Sequence, residues 1–280
     1  MGSQLLSTVR SRTLTQWIEL FPESVRQSNL RLTYWLARAE AQTSPILGAQ
    51  LFDTAQAGFA ERGDRAGRIR ALAGLLYACA IDHADFATIV RTLDDLAQEL
   101  TVEPPSLTPD EQLDAWSALL TAGFHWAPWH PCLAPGLDRI EALLGDAQKC
   151  GASVKAAASA LLVASRSGDI ERANRIAVLV ERLVGDEDGN ALERAWALFQ
   201  LAHQRFVMAD YDASLRWFER TWALADENGL KAVLTAVLTY RFMAEFRLKG
   251  RAAVDESMRR IRKLPAPVHR YSRALLTRRC

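Results

Sequence analysis

The sequence predicts an all-α fold, a superhelical solenoid of about six antiparallel helix pairs, from three observations. Ala and Leu supply 45 and 39 of the 280 residues, a strong bias toward good helix formers with ample apolar material for a core. Between Gly, Asp, Pro and Asn breaks, apolar residues recur three and four apart, as a helix with one buried stripe requires. The breaks themselves recur. Ser44-Pro45, Asp85-Phe86, Ala127-Pro128, Asp169-Ile170, Asp210-Tyr211 and Gly250-Arg251 are separated by 41, 42, 42, 41 and 40 residues. A period in this range is what stacked helical hairpins produce, each hairpin burying its apolar face on its neighbours.

The elements follow in order. Leu14, Trp17, Ile18 and Phe21 mark a leading helix that ends at Pro22, so residues 1–22 are read as a leading segment and 23–280 as the repeat solenoid. Leu30, Tyr34, Leu36 and Ala37 open the first pair. Phe52, Ala55 and Phe59 continue it on a segment beginning at Pro45, where a missing N–H costs nothing in a first helical turn. Leu72, Leu75, Leu76 and Cys79 form a third stripe, and Ile89, Leu93 and Leu96 a fourth. After Pro104-Pro105, Thr108 with Glu111 three residues on gives the spacing of a capping box around Pro109. No alternating β-branched stretch competes with this pattern. Tyr271, Leu275 and Leu276 resemble the opening of a seventh pair, which implies a segment cut from a longer chain.

Charge and targeting features narrow the function classes. Lys plus Arg total 34 and Asp plus Glu 33, so the net charge of +1 gives no whole-chain argument for nucleic acid or membrane. Residues 247–280 are basic, +9 against −8 for the rest. The arginines and lysine at 259, 260, 262, 263, 270, 273, 278 and 279 come without a base-reading module, so a solvated terminus or a surface for an acidic domain explains them better than DNA binding. The longest apolar run, Ala71 to Ile81, is 11 residues, too short for a bilayer. No secretory signal precedes it, and the four cysteines show no CxxC pair, which points to a reducing, cytoplasmic setting.

Chemical motifs are sparse. His125-Trp126-Ala127-Pro128-Trp129-His130-Pro131-Cys132 puts two imidazoles and a thiol within eight residues. The spacing fits no zinc pattern, and the two prolines make it a turn. Asp82-His83-Ala84-Asp85 could orient a general base, but an interhelix turn with capping carboxylates explains it better. GxSxG, HExxH and DxDxDG are absent. The chain is therefore expected not to be an enzyme and to need no cofactor, with a metal-dependent hydrolase using the His125–Cys132 turn as the minor alternative.

Two resemblances add to this reading. Residues 195–226, AWALFQLAHQRFVMADYDASLRWFERTWALAD, resemble a tetratricopeptide repeat. Leu198, Leu201 and Ala202 match its first-helix bulky, bulky and small positions, Asp210-Tyr211 its turn, and Ser214, Phe218 and Thr221 its second helix. The other pairs are degenerate: Ala173 keeps the small site, whereas Ile89 replaces it. Upstream, Leu14, Trp17 and Pro22 followed by Leu30 and Trp35, then Phe59-Ala60-Glu61-Arg62-Gly63-Asp64-Arg65-Ala66-Gly67, are similar to the junction leading into the helical-repeat sensor of LuxR/MalT-type activator ATPases. That resemblance implies a bacterial transcriptional regulator whose repeats receive a small inducer or a protein. With no GxxxxGK[ST] loop and no helix-turn-helix, it implies the sensing part alone, without direct nucleic-acid binding.

In a solenoid of this kind the first helices line the concave groove. Carried over by the tetratricopeptide frame, the groove-facing positions are Trp116, Phe124, Lys155, Arg166, Trp196, Phe199, His203, Phe206, Tyr240 and Arg247. Aromatics interleaved with cations suit a protein domain or peptide carrying carboxylates, or a small inducer with an apolar body. For any single aromatic, packing between helix pairs is the stronger explanation; together they form the expected ligand-binding set. A stand-alone protein-interaction adaptor is the alternative.

Overall fold

The computed structural model describes residues 11–41, 44–82, 86–102, 107–146, 151–185 and 190–250. Among them the secondary structure is wholly helical: α1 (Ser11–Glu19), α2 (Glu23–Ser28), α3 (Leu30–Glu40), α4 (Pro45–Glu61), α5 (Arg65–Asp82), α6 (Phe86–Thr101), α7 (Pro109–Trp126), α8 (Leu133–Asp146), α9 (Gly151–Ser167), α10 (Ile170–Val184), α11 (Ala191–Val207), α12 (Tyr211–Glu227) and α13 (Lys231–Lys249). None is long and apolar enough to cross a membrane. The contacts thin out near residue 145, dividing the chain into units Met1–Gly145 and Asp146–Cys280.

In the first unit, α1 packs on α3 by setting Leu14 and Ile18 against Ala39, Leu32, Trp35 and Leu36. Successive odd-numbered helices α3, α5 and α7 touch, while α4 lies against α3 and α5, and α6 against α5 and α7. The α4–α5 contact depends on glycine. A Cβ at Gly74 would stand 2.3 Å from the ring of Phe52, and one at Gly67 2.5 Å from that of Phe59. The missing side chains let the two aromatics of α4 lie directly on the α5 backbone. At the start of α7 the expected capping box is present: the Thr108 hydroxyl accepts from the Glu111 N–H at 3.3 Å, and the Glu111 carboxylate accepts from the Thr108 N–H at 2.9 Å.

The second unit repeats the scheme, with α9, α11 and α13 in succession, α10 on α9 and α11, and α12 on α11 and α13. Here the tetratricopeptide-like positions have their physical reason. Ala202, Ser214, Phe218 and Thr221 are fully buried, and the Ser214 hydroxyl donates to the Ala202 carbonyl at 2.8 Å, which small residues alone permit. The turn before α12 closes with Asp210 N–H donating to the Arg205 carbonyl at 3.0 Å, and the Asp210 carboxylate accepts from Ala213 N–H at 3.1 Å.

That turn places Ala209 at φ +59°, where Gly63, Gly168 and Gly229 stand in other interhelix turns. A Cβ in the left-handed region costs about 1 kcal/mol. Ala209→Gly is expected to stabilise the protein by roughly 0.5–1 kcal/mol, read as a higher urea midpoint at unchanged slope.

Candidate functional site

The sequence-predicted set separates between the two units. Trp116 and Phe124 lie on α7 of the first unit. Trp116 is buried at 6% exposure, and Phe124 is half-buried with its ring edge-on to His125 at 5.0 Å. The remaining eight residues lie in the second unit, on its three odd-numbered helices.

Six of those eight come together. On α11, Trp196, Phe199, His203 and Phe206 follow three and four residues apart and so share one face. Tyr240 of α13 closes on that face, its ring centroid 5.5 Å from Phe199, 5.0 Å from His203 and 6.0 Å from Phe206. From α9, Arg166 brings its Nη2 to 2.9 Å from His203 Nε2. A guanidinium only donates, so in this contact Nε2 is the acceptor. Arg166 and His203 are 37 residues apart, as are His203 and Tyr240, one residue from each successive helix of the row.

Burial sorts the cluster into floor and rim. Phe199, at 5% exposure, belongs to the core with Phe218 and Val237, and His203, at 2%, is buried with its ring stacked on that of Phe199. They were expected to face a ligand because their helical phase is right. Tyr240 packs over that phase and covers them. Trp196, Phe206 and Tyr240 are half-buried and Arg166 is exposed, so these four form the accessible rim. Lys155, three turns before Arg166 on α9, and Arg247, two turns after Tyr240 on α13, share the rim's helical phase about 16 and 10 Å along the axes. Sequence reasoning missed Tyr211, whose ring lies 5.6 Å from that of Phe206 across the α11–α12 turn. Its role in the repeat turn masked its second role as a rim aromatic.

The His130–Cys132 turn holds a different arrangement. His130 Nε2 faces Asp94 Oδ1 at 2.9 Å, and His130 Nδ1 faces Cys132 Sγ at 2.6 Å and accepts from the Cys132 N–H at 3.2 Å. Asp94 is 36 residues upstream on α6, a partner that no local spacing reveals. An Asp–His–Cys line of this kind is how a thiol nucleophile is activated. Two facts oppose that use. Burial pushes the Cys132 thiol up to about 12, its own backbone hydrogen bond lowering and the Asp94 charge raising it further, so the group stays a thiol. Cys132 is also buried, at 6% exposure. The carboxylate and the sulfur address opposite nitrogens of the ring, so they do not converge on one ion, and no cluster of three such groups suited to a metal occurs among the described residues. His83, Asp85 and the basic positions from 259 onward lie outside the described residues.

No protein-family model matches the chain, and no curated protein is similar to it in sequence. Among solved structures it is similar to BtubC (BKLC) from P. vanneervenii, with a TM-score of 0.53 at 12% identity over 86% of this chain and 90% of that one. At that identity the likeness is one of fold alone.

Proposed function

We propose that the chain is a tetratricopeptide-like solenoid of helix pairs that binds rather than catalyses, and that it serves as the signal-receiving module of a larger transcriptional regulator. The observation that carries the binding part is the ladder of Arg166, His203 and Tyr240 on successive helices, rimmed by Trp196 and Phe206. A cation beside half-buried aromatics suits a carboxylate attached to an apolar body, the guanidinium taking the carboxylate and the rings the remainder. Occupancy would favour one curvature of the repeats over another, and a partner domain with unequal affinity for the two would read the difference.

The binding reading is tested with an array of peptides ending in a free carboxylate, followed by titration of the hits with Trp fluorescence. Arg166→Ala and Trp196→Ala should each weaken binding about tenfold or more, as truncation at an anchoring contact does. Both residues lie outside the packed floor, so helicity should hold. Hits whose affinity is the same in both folded variants would remove these residues from the site. The regulator reading has a separate test, the reading frame on either side of this segment. A phosphate-loop module upstream supports it, and a frame bounded by its own start and stop codons would favour the stand-alone adaptor.

A further inference from the structure

The first unit contains a cleft that the aromatic ladder does not involve. α4 and α6 both pack on α5, and the space between them is a cavity of about 350 Å³. Its size lies in the range of small-molecule sites, at the lower end. Three helix faces converge on it: Asp53 and Gln56 three apart on α4, Arg68, Leu72 and Leu75 in phase on α5, and Arg91 and Asp95 four apart on α6. The two leucines are almost wholly buried and form a floor, so the groups left to meet an occupant are polar.

Those groups carry both signs of charge with few internal partners. Arg91 and Asp95 make no ion pair or hydrogen bond among the described residues, although they stand one turn apart on the same helix. The Arg68 Nη1 meets Glu99 at 2.5 Å, yet its Nε–H, shielded from solvent, finds no acceptor. On the opposite wall the Asp53 carboxylate accepts only from the neutral Gln56 amide, at 3.1 Å, so its charge is not neutralised.

We propose that this cleft binds a small polar α-amino acid. The pairing of charges selects that class. Arg91, with the Arg68 N–H groups that Glu99 does not engage, takes a carboxylate, the anion that guanidinium donors match. Asp53 and Asp95 take an ammonium, whose three donors suit two carboxylates at once. An anion without an ammonium would face two carboxylates unaided, and an amine without a carboxylate two guanidiniums, so each lacks half of the complement. Gln56 offers an amide for the side chain. An apolar side chain finds little exposed carbon here, because Leu72 and Leu75 are already covered.

The test is isothermal titration calorimetry of the full chain with each of the twenty amino acids in turn, independent of the aromatic ladder. At least one polar amino acid should bind saturably, and its decarboxylated amine should give no saturable heat. Arg91→Ala and Asp95→Ala should each weaken binding about tenfold or more. Asp53→Asn, at an exposed position on α4, should do the same without touching α6. Arg166→Ala, in the other unit, should leave the affinity unchanged. No saturable binding by any amino acid, or binding that survives the Arg91, Asp95 and Asp53 substitutions alike, would overturn the assignment.

Discussion

Phe218→Ala is expected to destabilise the second unit by about 3–5 kcal/mol, the usual cost of truncating a fully buried aromatic in a close-packed core. The ring has 0% exposure and lies 5.8 Å from that of Phe199, which itself supports Tyr240 and the floor of the candidate site. Its helix is fixed one turn earlier by the Ser214 hydroxyl on the Ala202 carbonyl, so α12 cannot slide in to fill the space. The loss is a large share of the 5–15 kcal/mol that holds a typical domain folded. Urea unfolding followed by circular dichroism reads it as a lower midpoint, and Phe218→Leu, which keeps most of the volume, should recover more than half of the difference. A Phe218→Ala midpoint within about 0.5 kcal/mol of wild type would mean that the α11–α12 packing is not as described.

The second large effect comes from adding a methyl group. Gly74→Ala should destabilise the first unit by about 1–3 kcal/mol even though Ala is the better helix former by about 1 kcal/mol. The new Cβ would stand 2.3 Å from the Phe52 ring, which is 2% exposed and backed by Tyr34 at 5.9 Å, so the ring has nowhere to retreat. Overpacking therefore exceeds the gain in propensity. The double mutant Phe52→Leu, Gly74→Ala distinguishes this cause from a general disturbance of α5. If the clash is responsible, the substitutions are non-additive and the pair is more stable than the sum of the singles predicts. Strict additivity, or a stabilised single mutant, would refute the close approach.

Much of this was readable in the sequence, for a physical reason. Helix formation depends on local spacing, so the apolar stripes, Pro45 and Pro109 at helix starts and the Thr108 capping box are fixed within a few residues and needed no tertiary information. The small and bulky positions of α11 and α12 were legible because adjacent helices impose them on each other at fixed offsets. The candidate site was legible as a set of helical phases, and that is also where the sequence stopped. Phase places Phe199 and His203 on the same face as Trp196, but whether that face is open depends on Tyr240, which arrives from a helix 37 residues beyond His203.

The other tertiary outcomes have the same origin. Asp94 meets His130 across 36 residues, and the 350 Å³ cleft is assembled from faces on three helices. By itself the sequence determined the helical class, helix starts such as Pro45 and Pro109 and the residue types at the α11–α12 contact, because these follow from local spacing and from adjacent helices. Only the tertiary structure decided which of the in-phase side chains are covered and which charges are left without partners, because exposure and pairing depend on what distant helices place over them.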